Sequence, residues 1–259
     1  MELFFLIGAL GLITGFLSGL LGIGGGIAMA PLLLYVPPWF GFSPLAMRDV
    51  AGLTIVQSLV GCLAGALTHN KFHFVSNRLT GWMGITIFLA ALTGGAAAGY
   101  VANAILLSIF ALMALVAAAL ILVPTRTDSE TPDLATFSFS RLKAVAASAS
   151  VGLFGGLVGQ GGSFILIPLM TSFMQVPTRI AIGSNLAIVF LSSLAAFLGK
   201  AFTGQIAWAL AAPIVIAVIP AAYLGGLTSR KVPVAGLRMI LAVCIAIAAV
   251  RVGISAAGF

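Results

Sequence analysis

Apolar residues form long uninterrupted runs along this chain, and polar residues are confined to the short intervals between them. Two runs, at residues 27–36 and 164–175, are only about half the length that spans a bilayer. Pro37 and Pro38 are predicted to end the first of these short runs. Eight runs are predicted membrane helices: 3–21, 46–69, 79–101, 104–123, 144–158, 178–199, 205–228 and 234–250. The pattern predicts an all-α integral membrane protein, a polytopic helical bundle.

Each short run follows a glycine-rich break in the apolar pattern. The breaks read Leu-Gly-Ile-Gly-Gly-Gly at 21–26 and Val-Gly-Gln-Gly-Gly-Ser at 158–163. Clustered glycines disfavour continuous helix, and a bilayer tolerates irregular backbone only where protein or a cavity satisfies its polar groups. The duplicated break is therefore a candidate binding site. The alternative is that the glycines only allow helices to pack closely.

Composition agrees with a membrane protein. The chain is 61% hydrophobic and 7% charged, whereas soluble domains carry about a quarter charged residues. The net charge is +7, and the cationic residues are scattered at the ends of the apolar segments. This distribution is typical of loops that follow the positive-inside rule and does not indicate a nucleic-acid partner. Cys62 and Cys244 lie inside apolar runs, so no disulfide is expected. His69 and His73 have no nearby Cys or carboxylate, and no catalytic motif is present, so no metal, no cofactor and no enzyme activity are expected.

The two halves of the chain match one another. We divide it into an N-terminal repeat (1–123), a hydrophilic linker (124–140) and a C-terminal repeat (141–259). Gly19, Gly22, Gly24, Gly25 and Pro31 recur 137 positions later as Gly156, Gly159, Gly161, Gly162 and Pro168. After a length difference in the next loop, we align Leu53 with Leu186, 133 positions on, and Gly99 with Gly226, 127 positions on. These matches predict an internal duplication.

The distribution of cations favours inverted repeats. If each pair of a long and a short helix enters and leaves by the same side of the membrane, one side of the bilayer collects nine cations and the other collects three. The group of three is Arg48, Lys200 and Arg251. If the pair counts as one crossing, the split is seven to five. The positive-inside rule therefore favours inversion, with both termini outside the cytoplasm.

Residues within the spans suggest where a ligand binds. Short helices that begin at the breaks would point free N–H groups of Gly24, Gly25, Gly26, Gly161, Gly162 and Ser163 at an anion. Thr54, Gln57 and Asn185 are polar residues within long spans, so they either line a cavity or join helices by hydrogen bonds. Lys200, at a helix end, is expected to reach the interface, and Arg48 to pair with Asp49.

The first break and its helix, Gly-Phe-Leu-Ser-Gly-Leu-Leu-Gly-Ile-Gly-Gly-Gly-Ile-Ala-Met-Ala-Pro at 15–31, resemble the motif of the TauE/SafE permeases. These form the sulfite exporter or toluene-sulfonate uptake family. The second copy, at 152–168, fits that family's duplicated pattern. The resemblance implies transport of sulfite, thiosulfate or an organosulfonate. By matching position, it implies substrate contacts at Gly22, Gly24, Gly25, Gly26, Gly159, Gln160, Gly161 and Gly162.

The leading hypothesis is a secondary transporter in a bacterial inner membrane that moves a small sulfur-containing anion by alternating access. A passive anion channel and a non-transporting membrane scaffold are the alternatives. None of the five acids lies mid-span, so coupling would use a histidine, the protonation of the substrate or the membrane potential. The sequence leaves the substrate, the direction of transport and the oligomeric state open.

Overall fold

The computed structural model describes residues 2–70, 75–121, 139–233, 235–237, 239–240, 242–243 and 245–247. These residues contain nine α-helices with defined ends, further helical residues between 235 and 247, and no strand. A 3₁₀ turn, Ala98–Tyr100, extends α4, and a π-helical segment, Leu169–Phe173, extends α7. The helices are α1 (Glu2–Leu21), α2 (Gly26–Trp39), α3 (Met47–Asn70), α4 (Asn77–Ala97), α5 (Asn103–Ile121), α6 (Arg141–Val158), α7 (Ser163–Pro168), α8 (Thr178–Phe202) and α9 (Trp208–Ser229).

Seven of these helices are long and apolar enough to cross a membrane. The exceptions are α2 and α7, which follow the two glycine breaks. The predicted polytopic helical membrane bundle is therefore confirmed. The described residues of the predicted eighth run, between 235 and 247, are also helical. His73, Cys244 and most of the linker 124–140 lie outside the described residues.

The first short helix continues further than predicted. Helix α2 has 14 residues, about 21 Å of rise, and it includes Pro37 and Pro38. The prediction that these prolines end the helix was wrong, because bilayer helices tolerate proline where the freed backbone groups find other partners. The helix ends instead at Trp39, with Phe40 as its C-cap residue, and the following Gly41 adopts a left-handed φ of 82°. The N–H groups of Phe40 and Gly41 bond to the carbonyls of Pro37 and Pro38.

The main helix contacts join the two halves in matched pairs. Helix α1 packs along α9, and its counterpart α6 packs along α4. Glycines set both contacts: a Cβ at Gly15 would lie 2.9 Å from Val218 Cα, and one at Gly152 would lie 2.8 Å from the Ile87 carbonyl oxygen. Gly15 and Gly152 are 137 positions apart, whereas Ile87 and Val218 are 131 apart. Each half therefore contributes the same two surfaces.

The structure corrects the predicted alignment of the later helices. Helices α3 and α8 begin 131 positions apart, and so do α4 and α9. The predicted spacings of 133 and 127 were therefore wrong, and Gly226 corresponds to Gly95 rather than to Gly99. Single matches between apolar residues cannot fix a register in a chain that is 61% hydrophobic. Long-range contacts fix it: Arg48 donates to the Val101 carbonyl at 3.4 Å, and Arg179 donates to the Val232 carbonyl at 3.4 Å.

The equivalent helices α3 and α8 run in opposite directions where they pack. Near the end of α3, Gly65 lies against Leu186, in the first half of α8. Near the start of α3, Ile55 shares an apolar cluster with Ala195, in the second half of α8. Contact positions that rise along one helix thus fall along the other.

Candidate functional site

Both breaks adopt the same backbone conformation. In each copy the second, fourth and fifth residues have left-handed φ angles of 60–76°. L residues with a Cβ rarely adopt this conformation, which explains glycine at these positions. Gly25 and Gly162 precede α2 and α7 as their N-cap residues. The left-handed residues are Gly22, Gly24, Gly25, Gly159, Gly161 and Gly162.

Each break is held by a polar side chain from the other half. The Asn185 amide donates to the carbonyl of Gly22, in the first break, and to that of Ser163, in the second, at 3.1 Å. The Thr54 hydroxyl lies 2.9 Å from the carbonyl of Gly159 and can donate to it. Asn185 and Thr54 are 131 positions apart, so they occupy equivalent places on α8 and α3. Buried carbonyls need such partners, and here the partner crosses between the halves.

The two breaks also face one another directly. A Cβ at Gly24 would lie 3.4 Å from the Ser163 hydroxyl of the second break. A Cβ at Gly26 would overlap the Gln160 amide oxygen. The structure therefore brings residues 22–26 and 159–163 into a single site, although about 137 positions separate them in the sequence.

Helices α3 and α8 line this site with further polar groups. The Gln57 amide, on α3, lies against Gly25 so closely that a Cβ there would overlap it. On α8, the Ser193 hydroxyl would lie 2.7 Å from a Cβ at Gly161. Both side chains are fully buried. Because glycine has no Cβ, polar side chains can pack directly against the backbone of the breaks. Glycine also allows their left-handed turns.

Polar atoms without hydrogen-bond partners are concentrated here. An unpaired buried polar group costs about 1–3 kcal/mol, and native proteins keep only a few of them. Seven fully buried polar side chains at the breaks each leave at least one polar atom unpaired within the described part of the chain. A polar ligand or water would satisfy them. The side chains with unpaired atoms are Gln57, Ser58, Gln160, Ser163, Asn185, Ser192 and Ser193.

Backbone donors differ between the breaks. The N–H groups of Ile23, Gly24 and Gly25 form no hydrogen bond within the described residues. In the second break, the N–H groups of Gly161 and Ser163 bond to carbonyls of that same break and of α6. The expectation that both sets of N–H groups point at one anion therefore does not hold for these two.

The second short helix also offers less to an anion than its sequence suggested. Helix α7 has only six α-helical residues before the backbone widens into a π-helical segment. An N-terminus this short provides little aligned dipole. The first break offers backbone donors at the start of the 14-residue α2. The second break offers the Gln160 side chain, where the first has the apolar Ile23, so the site is asymmetric.

Basic side chains lie at both ends of the polar site. Lys200 was expected to reach the interface, but it is fully buried. Its ammonium lies 3.3 Å from the Leu157 carbonyl, just before the second break, and 3.4 Å from the Gln205 amide oxygen. His69, 131 positions earlier, is 2% exposed, and its Nε2 lies 3.0 Å from the Gly19 carbonyl, just before the first break. Sequence reasoning missed this pair because the correct spacing of 131 was not recognised.

Arg48 behaves differently from the prediction. Its guanidinium bonds to the Val101 carbonyl, and it forms no ion pair with Asp49 in the described structure. Arg48 lies near enough to Lys200 for its positive charge to disfavour a second charge there. Arg179 lies near enough to His69 to have the same effect. Equivalent basic pairs therefore flank the central polar cluster, one at each end.

Comparison with known proteins places these features in a family context. The family described as "Sulfite exporter TauE/SafE" matches residues 7–252. The "Probable membrane transporter protein YunE" of Bacillus subtilis (strain 168) is 24% identical over 242 residues, 86% of each chain. A "Probable membrane transporter protein" of Xylella fastidiosa (strain 9a5c) is 28% identical over 234 residues, covering 87% of this chain and 84% of that one. No solved structure matches.

Proposed function

Because the chain belongs to the TauE/SafE family of membrane transporters, we propose that it carries a small sulfur-containing anion by alternating access. Sulfite, thiosulfate and organosulfonates are the proposed substrates. The relatives support a membrane transporter in general, and the name of the family, sulfite exporter, supports sulfite as a substrate. We place the protein in the bacterial inner membrane, with both termini outside the cytoplasm.

One observation carries the substrate class: a buried cluster of neutral polar groups at the junction of the breaks. Gln57, Gln160 and Ser163 can each donate a hydrogen bond, and all three have unpaired atoms. Free N–H groups of the first break add further donors. Several neutral donors suit an anion with several acceptor oxygens, and they hold it without the strong attraction of a direct ion pair. Such a site favours both binding and release.

The antiparallel packing of α3 and α8 supports inverted repeats. Inverted halves offer equivalent surfaces to the two sides of the membrane, and substrate sites in such transporters lie near the midplane where the halves meet. The cross-half bonds of Asn185 and Thr54 fit this arrangement, because they tie the breaks together at the centre. We propose that the halves rock about this contact and expose the site to one side at a time.

A binding screen tests the substrate class. Purified protein is challenged with sulfite, thiosulfate, sulfoacetate, taurine and small carboxylates, and the shift in thermal unfolding is measured. We expect stabilisation by sulfur oxyanions. We expect Gln160→Leu and Ser163→Ala to weaken binding about 10-fold or more, because a hydrogen bond to a charged group contributes about 1.5–3 kcal/mol.

Ser150→Ala is the matched control. Ser150 is exposed, and among the described residues its hydroxyl bonds only to carbonyls of its own helix α6, so its loss should leave binding unchanged. Stabilisation by carboxylates or cations alone would refute the sulfur-anion assignment. Equal weakening by Ser150→Ala and Ser163→Ala would refute the location of the site.

A further inference from the structure

The buried Lys200 lies outside the central polar cluster, and its surroundings need explanation. Burying a charge is costly unless an opposite charge or several hydrogen bonds compensate it. Lys200 has two neutral partners, the Leu157 carbonyl and the Gln205 amide oxygen, both at distances above 3.2 Å. No described acid forms an ion pair with it. The ammonium is therefore incompletely compensated by the described chain.

A second cation increases this excess of positive charge. Arg48 lies one helical turn before Gly52 on α3, and Gly52 packs against the backbone of Gln205, the amide partner of Lys200. Arg48 is therefore near enough to repel the Lys200 ammonium. Arg48 is exposed, whereas Lys200 is fully buried. The acid adjacent in sequence, Asp49, is exposed and makes no ion pair with either cation. Neither side chain has an ion-pair partner among the described residues. With Lys200 protonated, the two form a local positive potential that an anion would neutralise.

The position of the pair relates it to the transport site. Leu157, the carbonyl partner of Lys200, lies two residues before Gly159, the first glycine of the second break. On the other side, Arg48 lies three residues before Ala51, whose backbone packs against Gly159. Lys200 on α8 thus bonds to the chain just before the second break, and Arg48 lies one helical turn before the residue of α3 that packs against that break.

We propose that Arg48 and Lys200 form an outer anion station, which draws a small oxyanion from one membrane surface and passes it to the breaks. The station rests on the proposed function, since it supplies the central site. Arg48 meets the anion at the surface, and Lys200 holds it inside, adjacent to the second break. His69 and Arg179 occupy the equivalent positions at the other end, 131 positions from Lys200 and Arg48 respectively.

Anion attraction can be measured without knowing the substrate. Thr203, exposed one helical turn after Lys200, is replaced by cysteine in a full-length Cys62→Ala, Cys244→Ala background. At low ionic strength, its rate of modification is compared for an anionic and a cationic methanethiosulfonate reagent. We expect Lys200→Met to lower the anionic-to-cationic rate ratio at least about threefold, because removing a nearby charge changes both rates in opposite directions. Lys200→Arg should retain the ratio.

Two further variants make the result decisive. Lys231→Met removes an exposed lysine beyond α9 and should leave the ratio unchanged. Arg48→Gln, at an exposed position, should also lower the ratio, and it provides a second test if Lys200→Met does not fold. An unchanged ratio in Arg48→Gln and in folded Lys200→Met would overturn the proposal, as would an equal fall in Lys231→Met.

Exchange of thiosulfate across proteoliposomes separates this proposal from the proposed function. We expect Lys200→Met to slow exchange more than 10-fold, with recovery in Lys200→Arg. If the reagent ratio falls as expected but the wild-type protein exchanges neither thiosulfate nor sulfite, the transport proposal fails and the anion station stands. If exchange is normal in Lys200→Met, the station is wrong and the central site is unaffected.

Discussion

Replacing Gly159 by alanine tests whether the break glycines are needed for both backbone shape and close contact. Gly159 has a φ of +74°, and a Cβ there would lie 2.6 Å from Ala51 Cα on α3. The left-handed conformation costs an alanine about 1–2 kcal/mol. Overpacking against backbone that cannot move aside adds about 1–3 kcal/mol. We therefore expect Gly159→Ala to destabilise the protein by roughly 2–5 kcal/mol.

Two other glycines provide matched controls. Gly41 has a φ of +82° but open space around its Cβ position, so Gly41→Ala should cost only the conformational part, about 1–2 kcal/mol. Gly81 lies in α4 with open space and an ordinary helical backbone. Gly81→Ala should be neutral or stabilising by up to about 1 kcal/mol, because alanine favours helix.

The assay is thermal unfolding of the four proteins in one detergent. The expected order of midpoints is Gly81→Ala at or above wild type, then Gly41→Ala, then Gly159→Ala. If Gly159→Ala has the same unfolding midpoint as Gly41→Ala, the close contact with α3 adds nothing to the loss of stability. If its midpoint equals that of Gly81→Ala, the left-handed backbone described for the break is wrong.

The remaining predictions concern the polar contacts. Asn185→Leu should destabilise the protein by about 1–3 kcal/mol, because it removes the side-chain donor that two break carbonyls share, and chemical unfolding in detergent would measure this. Thr54→Val should cost less, about 0.6 kcal/mol, since the Thr54 hydroxyl also lies 2.9 Å from the Val50 carbonyl of its own helix; equal losses would contradict the assigned bonding. Arg179→Gln should lower the unfolding midpoint more than Arg48→Gln, because Arg179 is 8% exposed and Arg48 lies at the surface; the reverse order would contradict their assigned burial.

The membrane spans and breaks were predictable because they depend on local properties of the chain. A run of about 20 apolar residues has few alternatives to a membrane helix. Three consecutive glycines, at 24–26, cannot continue such a helix without cost. The predicted starts of α3 and α8, at 46 and 178, agree with Met47 and Thr178 to within one residue.

Long-range relations were less accessible to sequence reasoning. A lysine at the end of a membrane helix can reach the interface or turn inward, and its neighbours decide between these outcomes. Here the Leu157 carbonyl, 43 positions earlier, and the Gln205 amide, five positions later and beyond the end of α8, provide internal partners for Lys200. The register of the repeats was hidden for the same reason. Only bonds such as those of Arg48 and Arg179 to equivalent carbonyls reveal the spacing of 131.

The polar site was partly predictable. Gln57, Gln160 and Asn185 stand out as carboxamides within apolar segments, and the structure places all three at the breaks. The difference in free N–H groups between the breaks could not be foreseen. It depends on which N–H groups of each break bond back to carbonyls of the preceding helix. Gly161, for example, uses its N–H group on the Gly155 carbonyl at 3.2 Å.

The most direct test of a carrier with its site between the two breaks is countertransport in proteoliposomes loaded with unlabelled thiosulfate or sulfite. We predict saturable uptake of the labelled anion, accelerated by the unlabelled anion inside. Uptake should be lost in Gln160→Leu and retained in Ser150→Ala. Discrete single-channel currents, or exchange that Gln160→Leu leaves intact, would contradict a carrier whose substrate binds between the two breaks.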